Sequence, residues 1–175
     1  EGKKMPKFTL DGKEIEFKEG QTIIEAAADN GVDIPHFCWH PELSVSGNCR
    51  MCLVEDEKMP KLVIACATTA ADGMVVQVNS QRALDARNAV MEFILINHPL
   101  DCPICDEAGE CKLQDYSYQH SVGESRFVEE KVSKGKRTLL GPRVMFDGER
   151  CISCSRCIRF CDEVAGQNQI TFVQR

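Results

Sequence analysis

The sequence predicts an α+β protein assembled from small modules. Three observations carry that reading. Lys7-Phe8-Thr9-Leu10 and Glu14-Ile15-Glu16-Phe17 alternate in polarity about Asp11-Gly12, a strong hairpin signal. A long amphipathic stretch over residues 80–97 reads as a helix. Eleven cysteines fall within 175 residues, and they lie in short-spaced groups.

After the hairpin, Thr22-Ile23-Ile24-Glu25 forms a capping box in which hydroxyl and carboxylate satisfy each other's free amides. The helix it opens runs through Ala26-Ala27-Ala28 and stops at Gly31, a residue suited to the left-handed position past a helix end. Residues 35–48 form a long loop that carries Cys38 and ends at Cys49. Residues 51–54, 62–65 and 74–78 read as short strands. Ser80 then caps the long helix, whose Ala83, Leu84, Val90, Met91, Ile94 and Leu95 share one face. Pro99 ends it. Residues 99–120 hold three cysteines and a helical signal over 110–115. Residues 121–141 are polar, with Gly123, Gly135 and Gly141, and read as a surface connection. The predicted division is 5–78, 79–120, a linker over 121–141, and 142–175. The last segment is still apolar-patterned at Ile170-Thr171-Phe172-Val173, as if the sequence stopped inside a domain. Met5-Pro6 reads as a natural start, leaving Glu1 to Lys4 as an extension.

Composition removes several function classes. The net charge of −6 argues against a nucleic-acid partner. The longest apolar run, Phe93-Ile94-Leu95-Ile96, is far short of the roughly 20 residues of a membrane span. No apolar h-region follows the first residues, so no export signal is visible. An odd cysteine count without an export signal favours metal over disulfides.

The first group is Cys38-x10-Cys49-x2-Cys52-x13-Cys66, a tight pair with two outlying thiols, and Gly47 frees the loop backbone beside the pair. Four thiolates suit a 2Fe–2S cluster or a structural zinc. His36 and His40 flank Cys38 and read as loop residues, and Trp39 reads as core or as a shield. The second group is His98-x3-Cys102-x2-Cys105-x5-Cys111, which on spacing suits zinc or a 4Fe–4S cluster. The third is Cys151-x2-Cys154-x2-Cys157-x3-Cys161. Its C-x2-C-x2-C run is specific for a 4Fe–4S cluster. Cys161 is followed by Asp162 rather than by the proline of two-cluster ferredoxins. Cys157 and Cys161 would be neighbours on one helical face, so Cys161 is expected not to be a ligand of the same cluster. Arg150, Arg156 and Arg159 lie close by, either offsetting cluster charge or forming a solvated basic face. No glycine-rich phosphate loop follows a strand, so no nucleotide site is expected within the chain.

The opening hairpin, helix, cysteine loop and further strands resemble the β-grasp of 2Fe–2S ferredoxins. Gly47-Asn48-Cys49-Arg50-Met51-Cys52-Leu53-Val54-Glu55, Asn97-His98-Pro99-Leu100-Asp101-Cys102-Pro103-Ile104-Cys105, Gly109-Glu110-Cys111 and Arg150-Cys151-Ile152-Ser153-Cys154 together extend the likeness. From Met5 on, the chain resembles the N-terminal iron–sulfur region of the large peripheral-arm subunit of complex I, NADH:quinone oxidoreductase. It is also similar to diaphorase subunits of NAD-linked hydrogenases, to NAD-linked formate dehydrogenase and to the N-terminus of [FeFe]-hydrogenases. The resemblance implies a β-grasp domain, a small helical His/Cys module, and the start of a 4Fe–4S ferredoxin-like domain. It implies a 2Fe–2S cluster on Cys38, Cys49, Cys52 and Cys66. It implies a 4Fe–4S cluster on His98, Cys102, Cys105 and Cys111. It implies a second 4Fe–4S cluster on Cys151, Cys154 and Cys157, with its fourth ligand beyond Arg175. The implied function is one-electron relay from flavin on a partner subunit toward quinone. The chain would be a subunit of an oxidoreductase with no complete active site of its own. Its implied partners are the flavin- and NADH-binding subunit and other peripheral-arm subunits, with the complex on the cytoplasmic face of the cell membrane. The alternative is an electron-transfer subunit of a hydrogenase or formate dehydrogenase.

Overall fold

Asp11 and Gly12 both take left-handed backbone, with φ of 47° and 79°, as a two-residue hairpin matching the twist of its strands requires. They join β1 (Lys7–Leu10) to β2 (Lys13–Glu16) in the register Phe8↔Ile15. The structure is a computed structural model that describes residues 5–121 and 123–173. The proposed extension Glu1 to Lys4 lies outside the described residues. The chain packs as two units, Glu1–Arg87 with Cys154–Arg175, and Asn88–Ser153.

In the first unit, β3 (Leu53–Asp56), β4 (Val63–Ile64) and β5 (Val75–Gln77) complete a five-stranded sheet of order β2-β1-β5-β3-β4. β1 and β5 run parallel. The Thr9 and Asp11 amides donate to the Met74 and Val76 carbonyls, each at 2.9 Å. The Asp11 carboxylate accepts from the Val78 amide at 2.7 Å and from Asn79 Nδ2 at 3.0 Å, so the hairpin turn is tied to the end of β5. α1 (Ile23–Asp29) opens on the expected capping box, with Glu25 Oε2 accepting from the Thr22 amide at 2.8 Å. Its Ile23, Ile24, Ala26 and Ala27 join Phe8, Ile15, Val54 and Val76 in one buried cluster. Gly31, at φ 73°, lies just past its end. β3 starts two residues later than expected, because Arg50 at φ 60° turns the chain and Met51 and Cys52 complete that turn.

α2 (Gln81–Asn97) is capped by Ser80, whose Oγ accepts from the Ala83 amide at 3.2 Å. Ala83, Arg87 and Met91 recur at every fourth position, and all three are fully buried. Arg87 donates from Nη2 to the Leu53 carbonyl at 3.2 Å and to the Val78 carbonyl, filling a place on the apolar stripe that sequence pattern assigns to aliphatic residues.

In the second unit, Lys131 Nζ donates to the Leu95 and Ile96 carbonyls, each at 2.9 Å, satisfying acceptors freed at the end of α2. A 3-10 turn covers Cys102–Ile104. The helix expected over 110–115 starts later and runs longer, as α3 (Lys112–His120), because Gly109 at φ 90° and extended Cys111 precede it. Residues 123–140 are exposed, and their end pairs as β6 (Thr138–Leu139) with β7 (Met145–Phe146). Back in the first unit, α4 (Arg156–Arg159) continues into a π-helical turn over Phe160–Val164. Among the described residues no helix is long and apolar enough to cross a membrane.

Arg87→Met keeps the bulk and removes the donors, leaving the buried Val78 carbonyl and the half-buried Leu53 carbonyl short of a partner. A loss of about 1–3 kcal/mol is expected, read as a lower urea midpoint. An unchanged midpoint would show that those carbonyls are satisfied without Arg87.

Candidate metal centres

The first group is assembled by the edge of the sheet. In the β3–β4 register Leu53 faces Ile64, which sets Cys52 opposite Ala65, and the Ala65 amide donates to the Cys52 carbonyl at 2.9 Å. Cys66 follows directly. The first amides of α1, from Ile23 and Ile24, donate to the Thr68 and Ala65 carbonyls at 2.9 and 3.1 Å, so the helix start fixes the Cys66 loop. Gly47, at φ 63°, would place a Cβ 3.2 Å from Ile64 Cδ1, so the Cys49 loop passes close over β4.

These placements bring four thiols together. Cys38 hydrogen-bonds to the thiols of Cys49 and Cys66, and Cys52 to that of Cys66. Cys38, Cys52 and Cys66 are buried, and Cys49 is half-buried. Main-chain amides aim at the same sulfurs. The Cys38 amide donates to Cys49 Sγ at 3.4 Å, Met51 supports Cys49, and Cys49 and Asn48 support Cys38. The contacts with Cys49 and then Cys66 draw Cys38 down toward thiolate, and the contact with Cys66 does the same for Cys52. Cys49 and Cys66, whose protons bridge those contacts, are pushed up by their thiol neighbours. Thiolate is the form that ligates metal. This donor set therefore fits a thiolate-bound centre.

His36 and His40 are engaged inside the loop. His36 Nδ1 lies 2.7 Å from the Ile34 carbonyl oxygen, and its ring meets Trp39 edge-on at 5.1 Å. His40 Nδ1 accepts from the Glu42 amide at 3.2 Å. Trp39 packs against the buried cluster of the first unit.

The second group surrounds a cavity of about 70 Å³ whose lining includes His98, Cys102, Cys105 and Cys111, with Leu95 and Leu113 as apolar walls. That is several times the roughly 10–15 Å³ one water needs, so the space suits a polyatomic group. His98 follows the end of α2, Cys102 and Cys105 bracket the 3-10 turn, and Cys111 precedes α3. Burial, and then the charge of Lys131, hold His98 below the ordinary histidine range, leaving the neutral imidazole that can ligate. A charge network braces the turn. Asp101 accepts from Lys136 Nζ at 2.7 Å and Arg150 Nε at 3.2 Å, and Lys136 also pairs with Glu149 at 2.9 Å.

In the third group, Cys151 belongs to the second unit and Cys154, Cys157 and Cys161 to the first. Cys151 Sγ accepts from the Ser153 amide at 3.4 Å, and Cys154 Sγ from Arg156 Nε at 3.4 Å. Ser153 and Ser155 sit at φ 55° and 62°, the local winding that turns amides toward a bound anion. Cys161 lies in the π-helical turn. The three arginines part company. Arg156 serves a cysteine sulfur, Arg150 serves Asp101 and Asp147, and Arg159 bonds the Cys38 and Ser44 carbonyls. Arg159 and Glu163, which both contact Ser44, are functional candidates whose contacts no sequence spacing announces. Among the described residues no three His, Cys, Asp or Glu side chains close to the geometry of a single-ion site.

Comparison with known proteins agrees along the chain. Residues 3–81 match the 2Fe-2S iron-sulfur cluster binding domain family, and residues 87–126 the NADH-ubiquinone oxidoreductase-G iron-sulfur binding region. Residues 141–175 match the ferredoxin-like domain of NADH-quinone oxidoreductase subunit 3. An NADH-quinone oxidoreductase subunit of Rickettsia conorii is 48% identical over 98% of this chain and 25% of its own length. The mitochondrial NADH dehydrogenase [ubiquinone] iron-sulfur protein 1 of Solanum tuberosum is 49% identical over 95% of this chain and 22% of its own. A solved NAD+-reducing [NiFe]-hydrogenase superposes with a TM-score of 0.86 at 33% identity, over 97% of this chain and 71% of that one. The chain thus spans about a quarter of the length of the curated relatives it matches.

Gly47→Ala tests the crowded loop. A side chain in left-handed backbone costs about 1–2 kcal/mol, before its contact with Ile64 is counted. The expected result is a lower melting temperature together with reduced iron in the first group. Full stability and loading would show that the loop relaxes freely.

Proposed function

Because the chain belongs to the family of the NADH-ubiquinone oxidoreductase-G iron–sulfur region, we propose that it relays single electrons from flavin on a partner subunit toward quinone. The observation that carries this is the convergence of four thiols with main-chain amides directed at their sulfurs. The proposed ligands are Cys38, Cys49, Cys52 and Cys66 for a 2Fe–2S cluster, and His98, Cys102, Cys105 and Cys111 for a 4Fe–4S cluster. Cys151, Cys154 and Cys157 would hold a second 4Fe–4S cluster whose fourth ligand lies downstream, with Cys161 left out. Bound there, such clusters supply one-electron carrier chemistry. The protein's task is to fix ligand identity, exclude water and direct hydrogen bonds at sulfur. The proposed architecture is a β-grasp module, a helical His/Cys module, a linker and a ferredoxin-like segment. Its proposed partners are the flavin- and NADH-binding subunit and other peripheral-arm subunits, in a complex on the inner face of the cell membrane.

The similarity to an NAD+-reducing hydrogenase favours a second reading, an electron-transfer subunit of a hydrogenase or formate dehydrogenase. Cys161 separates the two. Under the first reading, Cys161→Ala in the full-length subunit leaves the iron content unchanged. Under the second, a cluster is lost.

Full loading corresponds to about ten irons per chain, two plus four plus four. Metal analysis of anaerobically purified protein checks this, and zinc in place of iron would sink the electron-relay reading. His98→Cys replaces a neutral ligand with an anionic one, and adding an electron to a more negative centre is harder. The potential of that 4Fe–4S cluster is therefore expected to fall, in line with the raised potentials of histidine-ligated Rieske centres. A redox titration of the loaded variant showing no fall would mean that ligand charge is not the controlling factor.

A further inference from the structure

Arg159 lies two residues after Cys157 and two before Cys161, yet its guanidinium is committed to the first group. Nη2 donates to the Cys38 carbonyl, Nη1 to the Ser44 carbonyl, and Nε to Ser155 Oγ at 3.2 Å. Glu163, one turn on, accepts from the Ser44 amide at 2.8 Å and from the Ser44 hydroxyl. The Ser155 hydroxyl donates to Ser46 Oγ at 3.0 Å. The helical segment after Cys154 therefore grips the loop between Cys38 and Cys49 at three residues, and all of these groups belong to one unit. The Ser44 contacts, with a smaller contribution from Arg159, hold the Glu163 carboxyl below the ordinary carboxylate range. Two of the three gripping side chains are thus charged.

We propose that Arg159 is a positioning residue for the cluster of the first group. It fixes the Cys38 loop, and its permanent charge raises that cluster's reduction potential. This rests on the reading of Cys38, Cys49, Cys52 and Cys66 as 2Fe–2S ligands. Reduction adds one negative charge to the centre, and a cation held against the carbonyl of a ligand residue favours the reduced form. Arginine keeps its charge at every accessible pH, and its fork serves two carbonyls at once. Arg156, three residues earlier, is directed at Cys154 Sγ instead. Two neighbouring arginines thus act on different centres.

The test is an anaerobic redox titration of the full-length subunit in its complex, followed by electron paramagnetic resonance. Arg159→Gln is expected to shift the midpoint of the 2Fe–2S signal to lower potential, and Arg159→Lys to recover most of the shift. Arg156→Gln is expected to leave that signal in place. A loaded Arg159→Gln protein with an unshifted 2Fe–2S midpoint would overturn the proposal, as would a shift confined to a 4Fe–4S signal. If Arg159→Gln fails to load the cluster, Glu163→Gln decides. It keeps the cation and removes the opposing charge, so the midpoint should rise, and an unmoved or lowered midpoint overturns the proposal. Wild-type protein that contains iron but gives no 2Fe–2S signal fails at the earlier step, the ligand reading itself.

Discussion

Four sulfurs pressed together at the edge of a small sheet neither keep all their protons comfortably nor lose them all. Shared protons leave Cys38 and Cys52 drawn toward thiolate and Cys49 and Cys66 drawn away from it. Positive charge from metal relieves that conflict without parting the sulfurs. Much of the first unit serves to hold them there. α1 docks its first amides on the Cys66 loop, β4 supports the Gly47 turn, and the amides of Cys38, Asn48 and Met51 face the sulfurs.

The second unit reaches a comparable end by other means. Few of its side chains are fully buried, and it is secured by Lys131 on the end of α2 and by the Asp101, Lys136, Glu149 and Arg150 network. Such half-buried ion pairs at the surface are modest in their individual contributions. Ligation at the His98 cavity would therefore supply a large share of that unit's folding energy. The first unit, with its continuous buried cluster, would depend on metal to a smaller degree.

What was legible in the sequence was local. The Asp11-Gly12 turn, the Thr22 capping box and the Ser80 cap are each written within a few adjacent residues, and each cysteine group within 11 to 29 positions. Arg87 was hidden by its residue type, since only its i, i+4 relation to Ala83 and Met91 marked it as a core position. The start of α3 was displaced by backbone geometry at Gly109, which a pattern of apolar residues does not record. The reach of Arg159 to Cys38 and of Glu163 to Ser44 spans 121 and 119 positions, and no periodicity encodes a contact at that range. Tertiary packing decides such pairs.

That separation also sets a clock during biosynthesis. β1 has no parallel partner until β5 has been made, and the Cys38 loop has no clamp until Arg159 has been made. With 121 positions between Cys38 and Arg159, and synthesis at about 5–20 residues per second, the clamp on the Cys38 carbonyl follows Cys38 itself by between about 6 and 24 s. For that interval the Cys38 and Ser44 carbonyls lack the guanidinium that holds them. If the first group holds a 2Fe–2S cluster, insertion of iron and sulfide would be favoured once that clamp has closed.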